Sequence, residues 1–331
     1  MAPVFEMHRR SSFSRMLSPS AMLELEKHDD SLASICRRLS CTDATASTAD
    51  FSSSSFSFRS DPPSADATVR PVHRSDLRRV GHVGSGKYCK VETVIPNHFG
   101  GDSKQPFAKK TIDPKSIKCS RDFRIATSEL ANEAEIISGL DHENIIKLRG
   151  VSSERFSESF ESSSDGYFLI MDVLGETLED RLKRWKSEKG FLKPTKMSVA
   201  KNFLRTTTGR SSGPSNDDKH REKLRARVHG TVLGIADGMR YLHSKDIVLR
   251  DLKPANIGYR SDHPDDDDDD AMRGNEKSAV KLFDFGMAGP VGDCDDDEAA
   301  GSPRYMAPEV MACEGYSLAV DVYSFGVILY E

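Results

Sequence analysis

Apolar positions along the chain form short continuous runs and longer stretches at helical spacing, divided by polar segments. Val80 opens a glycine-bearing run that continues into Val91, Val94 and Ile95 and then into Asn97 and Gly100-Gly101, a strand-and-turn pattern. Phe107-Ala108-Lys109-Lys110 closes a second short apolar run. Leu130, Ala134, Ile137 and Leu140 recur at steps of four, three and three, which predicts a helix over Ser128 to Leu140 with Glu133 on its inward side. Tyr167-Phe168-Leu169-Ile170-Met171 reads as a buried strand, and Leu178 to Trp185 as a helix. Val228, Val232, Ile235, Met239 and Leu242 mark a long helix, and Val280-Lys281-Leu282-Phe283 returns to strand.

The polar segments set the domain organisation. Residues 1–75 are rich in Ser, Thr and Asp with few clustered apolar residues, so the expectation is a disordered, phosphorylatable tail that cannot offset its ordering entropy. Ser152 to Gly166 reads as a serine-rich loop, and the basic stretch at about 186–225 and the acidic one at about 260–277 read as solvated insertions. The six adjacent aspartates Asp265 to Asp270 lack the turn glycine and spaced ligands of a calcium loop.

Composition removes several function classes. A chain of 331 residues with net charge -5 gives no case for nucleic acid as a partner. The six cysteines lack metal-ligand spacing, which favours reduced thiols in an intracellular, cytoplasmic protein, with the nucleus left open. No apolar run has the length of a transmembrane segment.

Chemistry concentrates in Ile247-Val248-Leu249-Arg250-Asp251-Leu252-Lys253-Pro254-Ala255-Asn256-Ile257. Apolar flanks pin a short loop to a core, so that three polar groups can point one way. Asp251 can take the proton of a hydroxyl nucleophile, Lys253 can balance charge on a phosphoryl group, and Asn256 can bind a metal through its amide oxygen. The run R-D-L-K-P-x-N resembles the catalytic loop of eukaryotic protein kinases, and further motifs follow in that family's order.

The kinase template G-x-G-x-x-G-x-V fits at Gly84, Gly86 and Val91, with Cys89 for the third glycine. A P-loop reading of Gly81, Gly86 and Lys87 fails at Tyr88, where a metal-binding hydroxyl is required. The resemblance implies that Val83, Gly84, Ser85, Gly86, Lys87, Tyr88, Cys89, Val91, Ala108, Met171, Asp172 and Leu174 surround ATP. It implies that Lys110 holds the phosphates and pairs with Glu133, an ion pair expected to orient the site and not to build the core. Asp284 of Asp284-Phe285-Gly286 is implied as a magnesium ligand beside Asn256, Asp251 and Lys253 as the catalytic pair, and Ser302 as part of a substrate-proximal loop ending at Ala307-Pro308-Glu309.

The likeness covers about residues 76–331 and is nearest the tyrosine-kinase-like serine/threonine group, through G-S-P-R-Y-M-A-P-E-V and Asp321-Val322-Tyr323-Ser324-Phe325-Gly326-Val327. It implies an α+β, bilobal fold: a small antiparallel sheet lobe with one helix at 76–172 and a mainly helical lobe at 173–331. It also implies ATP and Mg2+ as cofactors and protein substrates with Ser or Thr acceptors. A pseudokinase or scaffold is the alternative, weakened because Lys110, Glu133, Asp251, Asn256 and Asp284 are all present. Leu249 stands where the family has His; it lacks that residue's hydrogen bond to the backbone near Asp284-Phe285-Gly286 but can pack against Phe285. Gly258 stands where the family has an aliphatic side chain beneath adenine, so looser nucleotide packing is expected there. The chain stops at Glu331, within the family's central helix, and reads as a fragment of that lobe. Asp293, Asp295, Asp296, Asp297 and Glu298 are expected to stand in for an activating phosphate opposite Arg250.

Overall fold

The computed structural model describes residues 12–40, 70–97, 105–162, 165–187, 216–260, 280–292 and 301–331. Six strands make the small-lobe sheet: β1 (Arg70–Val72), β2 (Leu77–Ser85), β3 (Cys89–Pro96), β4 (Phe107–Ile112), β5 (Leu148–Ser152) and β6 (Phe168–Asp172), in the order β1-β5-β6-β4-β3-β2. All pairs are antiparallel except β1 with β5, which is parallel.

Pleating alternates the side chains of β4 between the two faces of the sheet. Ala108, Lys110 and Ile112 share the face towards α2 (Ser120–Ser138), which buries Phe123, Leu130, Ala134 and Ile137. Phe107 and Lys109 take the opposite face, where Val72, Val94, Phe168 and Ile170 form a small second core. Lys109 is buried there. Its ammonium lies 3.5 Å from Asp165 and 5.0 Å from the Phe168 ring centre.

The expected disordered tail is corrected over part of its length. Residues Pro19–Ser40 form a 22-residue helix, α1, and β1 adds a strand before residue 76. The expected loop at 152–166 is corrected as well, for Phe156–Ser162 form a seven-residue helix, α3. The two helical departures share one cause. Leu25, Leu32 and Ile35 of α1, together with Phe13, are buried with Phe123 of α2 and Phe156 and Phe160 of α3. Phe13 packs 5.6 Å from Phe123 and 5.3 Å from Phe160 between ring centres. Buried Asp29 accepts hydrogen bonds from the Ser157 amide at 3.0 Å and from its hydroxyl at 2.6 Å. Each segment alone has too few apolar residues to fold, and the three bury them against one another.

The larger lobe carries α4 (Leu178–Ser187), α5 (Asn216–His243), α6 (Pro308–Met311) and α7 (Ala319–Tyr330). α5 starts at Asn216, inside the segment expected to stay irregular to about 225. A three-stranded sheet joins β7 (Leu174–Thr177), β9 (Ile257–Arg260) and β10 (Val280–Leu282), and β8 (Ile247–Val248) pairs with β11 (Gly289–Pro290). The acidic insertion expected at 260–277 lies almost wholly outside the described residues, between the antiparallel strands β9 and β10. The lobes are tied together where the Asn144 side chain donates to the Val280 carbonyl at 2.9 Å and Leu282 exchanges backbone hydrogen bonds with Asn144 and Ile146. The α+β, bilobal architecture is present, and the cleft between its lobes holds the residues considered next.

Candidate active site

β4 and α2 bring Lys110 and Glu133 together from 23 residues apart, with Nζ–Oε2 at 2.5 Å. The same ammonium donates to Asp284 Oδ1 at 2.7 Å. Glu133 is 1% exposed, so a positive partner there is an electrostatic necessity. Burial opposes charge on Lys110, but the Asp284 and Glu133 carboxylates more than offset it and hold its pKa well above the ordinary lysine value. Reciprocally, Lys110 holds Asp284 below the usual carboxylate range. Glu129, one turn earlier on α2, is pushed up to about 7 by burial and by the Asp284 charge.

The candidate catalytic loop is built around buried Asp321 at the start of α7. Its carboxylate accepts from the Leu249 amide at 2.9 Å and the Arg250 amide at 3.0 Å, and contacts His243 Nε2 at 2.9 Å. These bonds hold a strained stretch, since Arg250 has φ of +65°. Leu249 is buried in the same core as Phe285, which fits packing in place of a histidine hydrogen bond.

Further along the loop, Lys253 Nζ donates to Asp251 Oδ2 at 2.6 Å and to Ser302 Oγ at 3.0 Å. The Asn256 amide nitrogen donates to the Asp251 carbonyl at 2.9 Å and to Asp251 Oδ2 at 3.3 Å. That orientation commits the Asn256 nitrogen and leaves its oxygen as the free acceptor. Asp251 Oδ1 is buried without a hydrogen-bond partner, an orphaned acceptor awaiting a donor. Asn256 and Asp284 form an all-oxygen donor pair suited to Mg2+, which takes one or two protein ligands and completes its shell with phosphates and water. No cluster of three or more His, Cys, Asp or Glu suited to a metal occurs among the described residues.

The glycine-rich turn joins β2 to β3, where Gly84 pairs with Val91 and the Gly86 amide donates to the Cys89 carbonyl at 2.7 Å. Val83 is exposed, and the Ser85 hydroxyl contacts His82. Lys87 stacks over the Tyr88 ring at 4.7 Å. Tyr88 itself is buried and turned towards α2, its hydroxyl 3.5 Å from Asp122. The Cys89 thiol is buried, and desolvation pushes its pKa up to about 12. Val91 pairs with Lys110, and Ala108 with Met171, both of the latter buried. The Asp172 carboxylate is taken by Arg149, with Nε–Oδ1 at 2.6 Å.

Leu174 changes the expectation attached to Gly258. A Cβ at Gly258 would meet Leu174 Cδ1 at 2.5 Å and Phe283 Cε1 at 3.2 Å. The space left by the missing side chain is filled from the neighbouring strand. The acidic run Asp293 to Glu298 expected to face Arg250 lies outside the described residues.

Residues 77–331 match the model of the protein kinase domain. The chain belongs to the protein kinase family. Within the family it is similar to a calcium/calmodulin-dependent protein kinase type 1 from Macrobrachium nipponense, 31% identical over 75% of this chain and 53% of that protein. A calcium/calmodulin-dependent protein kinase type II from Caenorhabditis elegans is 31% identical over 75% of this chain and 26% of its own length. The mouse serine/threonine-protein kinase DCLK2 is 29% identical over 76% of this chain and 25% of its own. The kinase chain thus spans from a quarter to about half the length of these relatives, and their names do not single out the tyrosine-kinase-like group.

Two contributors to the kinase site escape a motif reading. Asp321 is legible only as the first letter of D-V-Y-S-F-G, and Asn132 only as the neighbour of Glu133. No helix among the described residues is long and apolar enough to cross a membrane.

Proposed function

We propose that this protein transfers the γ-phosphoryl group of ATP, with Mg2+, to Ser or Thr hydroxyls of protein substrates in intracellular signalling. The supporting observation is the convergence of Lys110, Glu133 and Asp284 in one ion network beside Asp251, Lys253 and Asn256 in one hydrogen-bonded loop. Asp251 receives the proton of the acceptor hydroxyl as that oxygen bonds to the γ-phosphorus and the bond from that phosphorus to the bridging oxygen breaks, with ADP leaving. Its unpartnered Oδ1 is the atom available for that proton. Lys253 spans Asp251 and Ser302, which keeps a cation beside the charge that builds on the transferred group. Lys110 positions phosphate oxygens while Glu133 fixes its direction. Bound magnesium would supply charge neutralisation and phosphate alignment, and Asn256 and Asp284 are the residues to hold it. Lysine at position 253 supports Ser or Thr acceptors, and the likeness to serine/threonine kinases points the same way.

The test is transfer of labelled γ-phosphate in the full-length protein, followed by phosphoamino-acid analysis. Label is expected on Ser or Thr. Asp251→Asn should lower turnover roughly 100- to 10,000-fold, the usual worth of a positioned base. Label on Tyr alone, or wild-type turnover in Asp251→Asn, would overturn the proposal.

A further inference from the structure

Asp284 is held in an unusual backbone conformation, with φ of +67°, in the left-handed region that costs a non-glycine residue energy unless its surroundings enforce it. What enforces it is α2. The Phe285 amide donates to Glu133 Oε1 at 3.4 Å, and the neighbouring side chain, Asn132, takes the carbonyls that follow. Its Nδ2 lies 3.3 Å from Phe285 O, 2.9 Å from Gly286 O and 2.8 Å from Ala288 O. Three carbonyls can only accept, so the amide nitrogen must face them, and its two hydrogens are shared among the three. The turn also lies directly on the α2 backbone. A Cβ at Gly286 would stand 3.1 Å from Glu129 Cβ and 3.3 Å from Glu129 O, a closeness that glycine alone allows without displacement.

The geometry points to Asn132 as a positioning residue that tethers the turn Asp284–Ala288 to α2 and so keeps the Asp284 carboxylate on Lys110. Glu133 reads the cationic side of the site and Asn132 the backbone side, from adjacent positions on one helix. α2 therefore cannot shift without carrying the Asp284 turn with it. The inference deepens the kinase reading where it concerns turnover, but the tether itself is a property of the nucleotide-free chain.

The test compares Asn132→Ala and Asn132→Asp with wild type in the full-length protein. Asn132→Asp keeps the shape and sets a carboxylate oxygen against the three carbonyls. Hydrogen exchange without nucleotide is the first readout. The Phe285 and Ala288 amides, the latter bonded to Phe285 O at 3.0 Å, should exchange roughly 10- to 100-fold faster in both variants. Peptides from β4 and the α2 interior should keep wild-type exchange. In turnover, kcat should fall about 10- to 100-fold and half-saturating Mg2+ should rise, with KM for the protein substrate unchanged. Unchanged exchange in the 284–288 turn overturns the inference, and so does equal acceleration across all of α2, which would mark Asn132 as a general packing residue. Faster turn exchange with wild-type kcat and Mg2+ dependence likewise overturns the positioning role. If wild type itself transfers no phosphate, the kinase reading fails, and the exchange comparison still decides the tether.

Discussion

Lys110→Met separates orientation from stability at the centre of the site. The ammonium lies 2.5 Å from Glu133 and 2.7 Å from Asp284, while Glu133 keeps 1% of its side-chain surface and Asp284 41%. Methionine nearly preserves the volume, so packing changes little and the charge effect stands alone. Water can take over around half-exposed Asp284, which makes its loss of a partner cheap. Glu133 has no such recourse. Stranding a buried carboxylate costs about 3–5 kcal/mol. The sequence-based expectation that the pair only orients the site is thereby revised, because the burial of Glu133 makes the pair part of the fold. The assay is chemical denaturation of nucleotide-free protein at pH 7, comparing Lys110→Met with Lys110→Met/Glu133→Gln. The double variant removes the stranded charge and should recover most of the loss, to within about 1 kcal/mol of wild type, although both variants lack turnover. A single variant as stable as wild type, or a double variant no better than the single, would show that no charge is stranded at Glu133.

Three further outcomes follow from other parts of the fold. Gly258→Leu should destabilise by about 1–3 kcal/mol through the clash with Leu174, and adding Leu174→Ala should restore both stability and ATP affinity, read by denaturation and nucleotide titration. Phe13→Ala, which empties the aromatic contact that the segment before α1 makes with α2 and α3, should cost about 3–5 kcal/mol of docking energy and hasten tryptic cleavage at Lys27. Asp165 sits within 3.5 Å of Arg74, Lys90 and Lys109, whose charges outweigh its burial and hold its pKa below the ordinary aspartate value. A lowered folded pKa gives stability that is present above the unfolded value of about 3.9 and lost as pH falls through the folded value. Asp165→Asn should therefore be less stable by about 1–3 kcal/mol at pH 7, with the gap to wild type closing below about pH 4 in denaturation curves.

The convergence of the candidate site residues was legible in the sequence because they are written in short, fixed spacings. Asp251, Lys253 and Asn256 lie within six residues, and Lys110 and Glu133 each sit in a periodic element whose register can be counted. The α1–α3 dock was not legible. Phe13, Phe123, Phe156 and Phe160 are dispersed over three segments, and serines and acids around Phe156 and Phe160 conceal a helix whose apolar side packs against α1 and α2. Gly258 misled for a related reason. A missing side chain reads as a gap, but the Leu174 that fills it comes from a strand 84 residues earlier, and only the pairing of β7 with β9 brings the two together. Asn132 carried no motif signal, since its role depends on the path of a backbone turn more than 150 residues away.

In the proposed function, Asp284 holds the metal on which phosphoryl transfer depends. The most direct measurement is turnover and ATP affinity of full-length Asp284→Asn across a Mg2+ titration. Asparagine preserves the shape and removes the charge. Turnover should fall by about 1,000-fold or more while ATP still binds, with an affinity that no longer improves as Mg2+ is raised. Turnover within threefold of wild type, with an unaltered Mg2+ dependence, would contradict it.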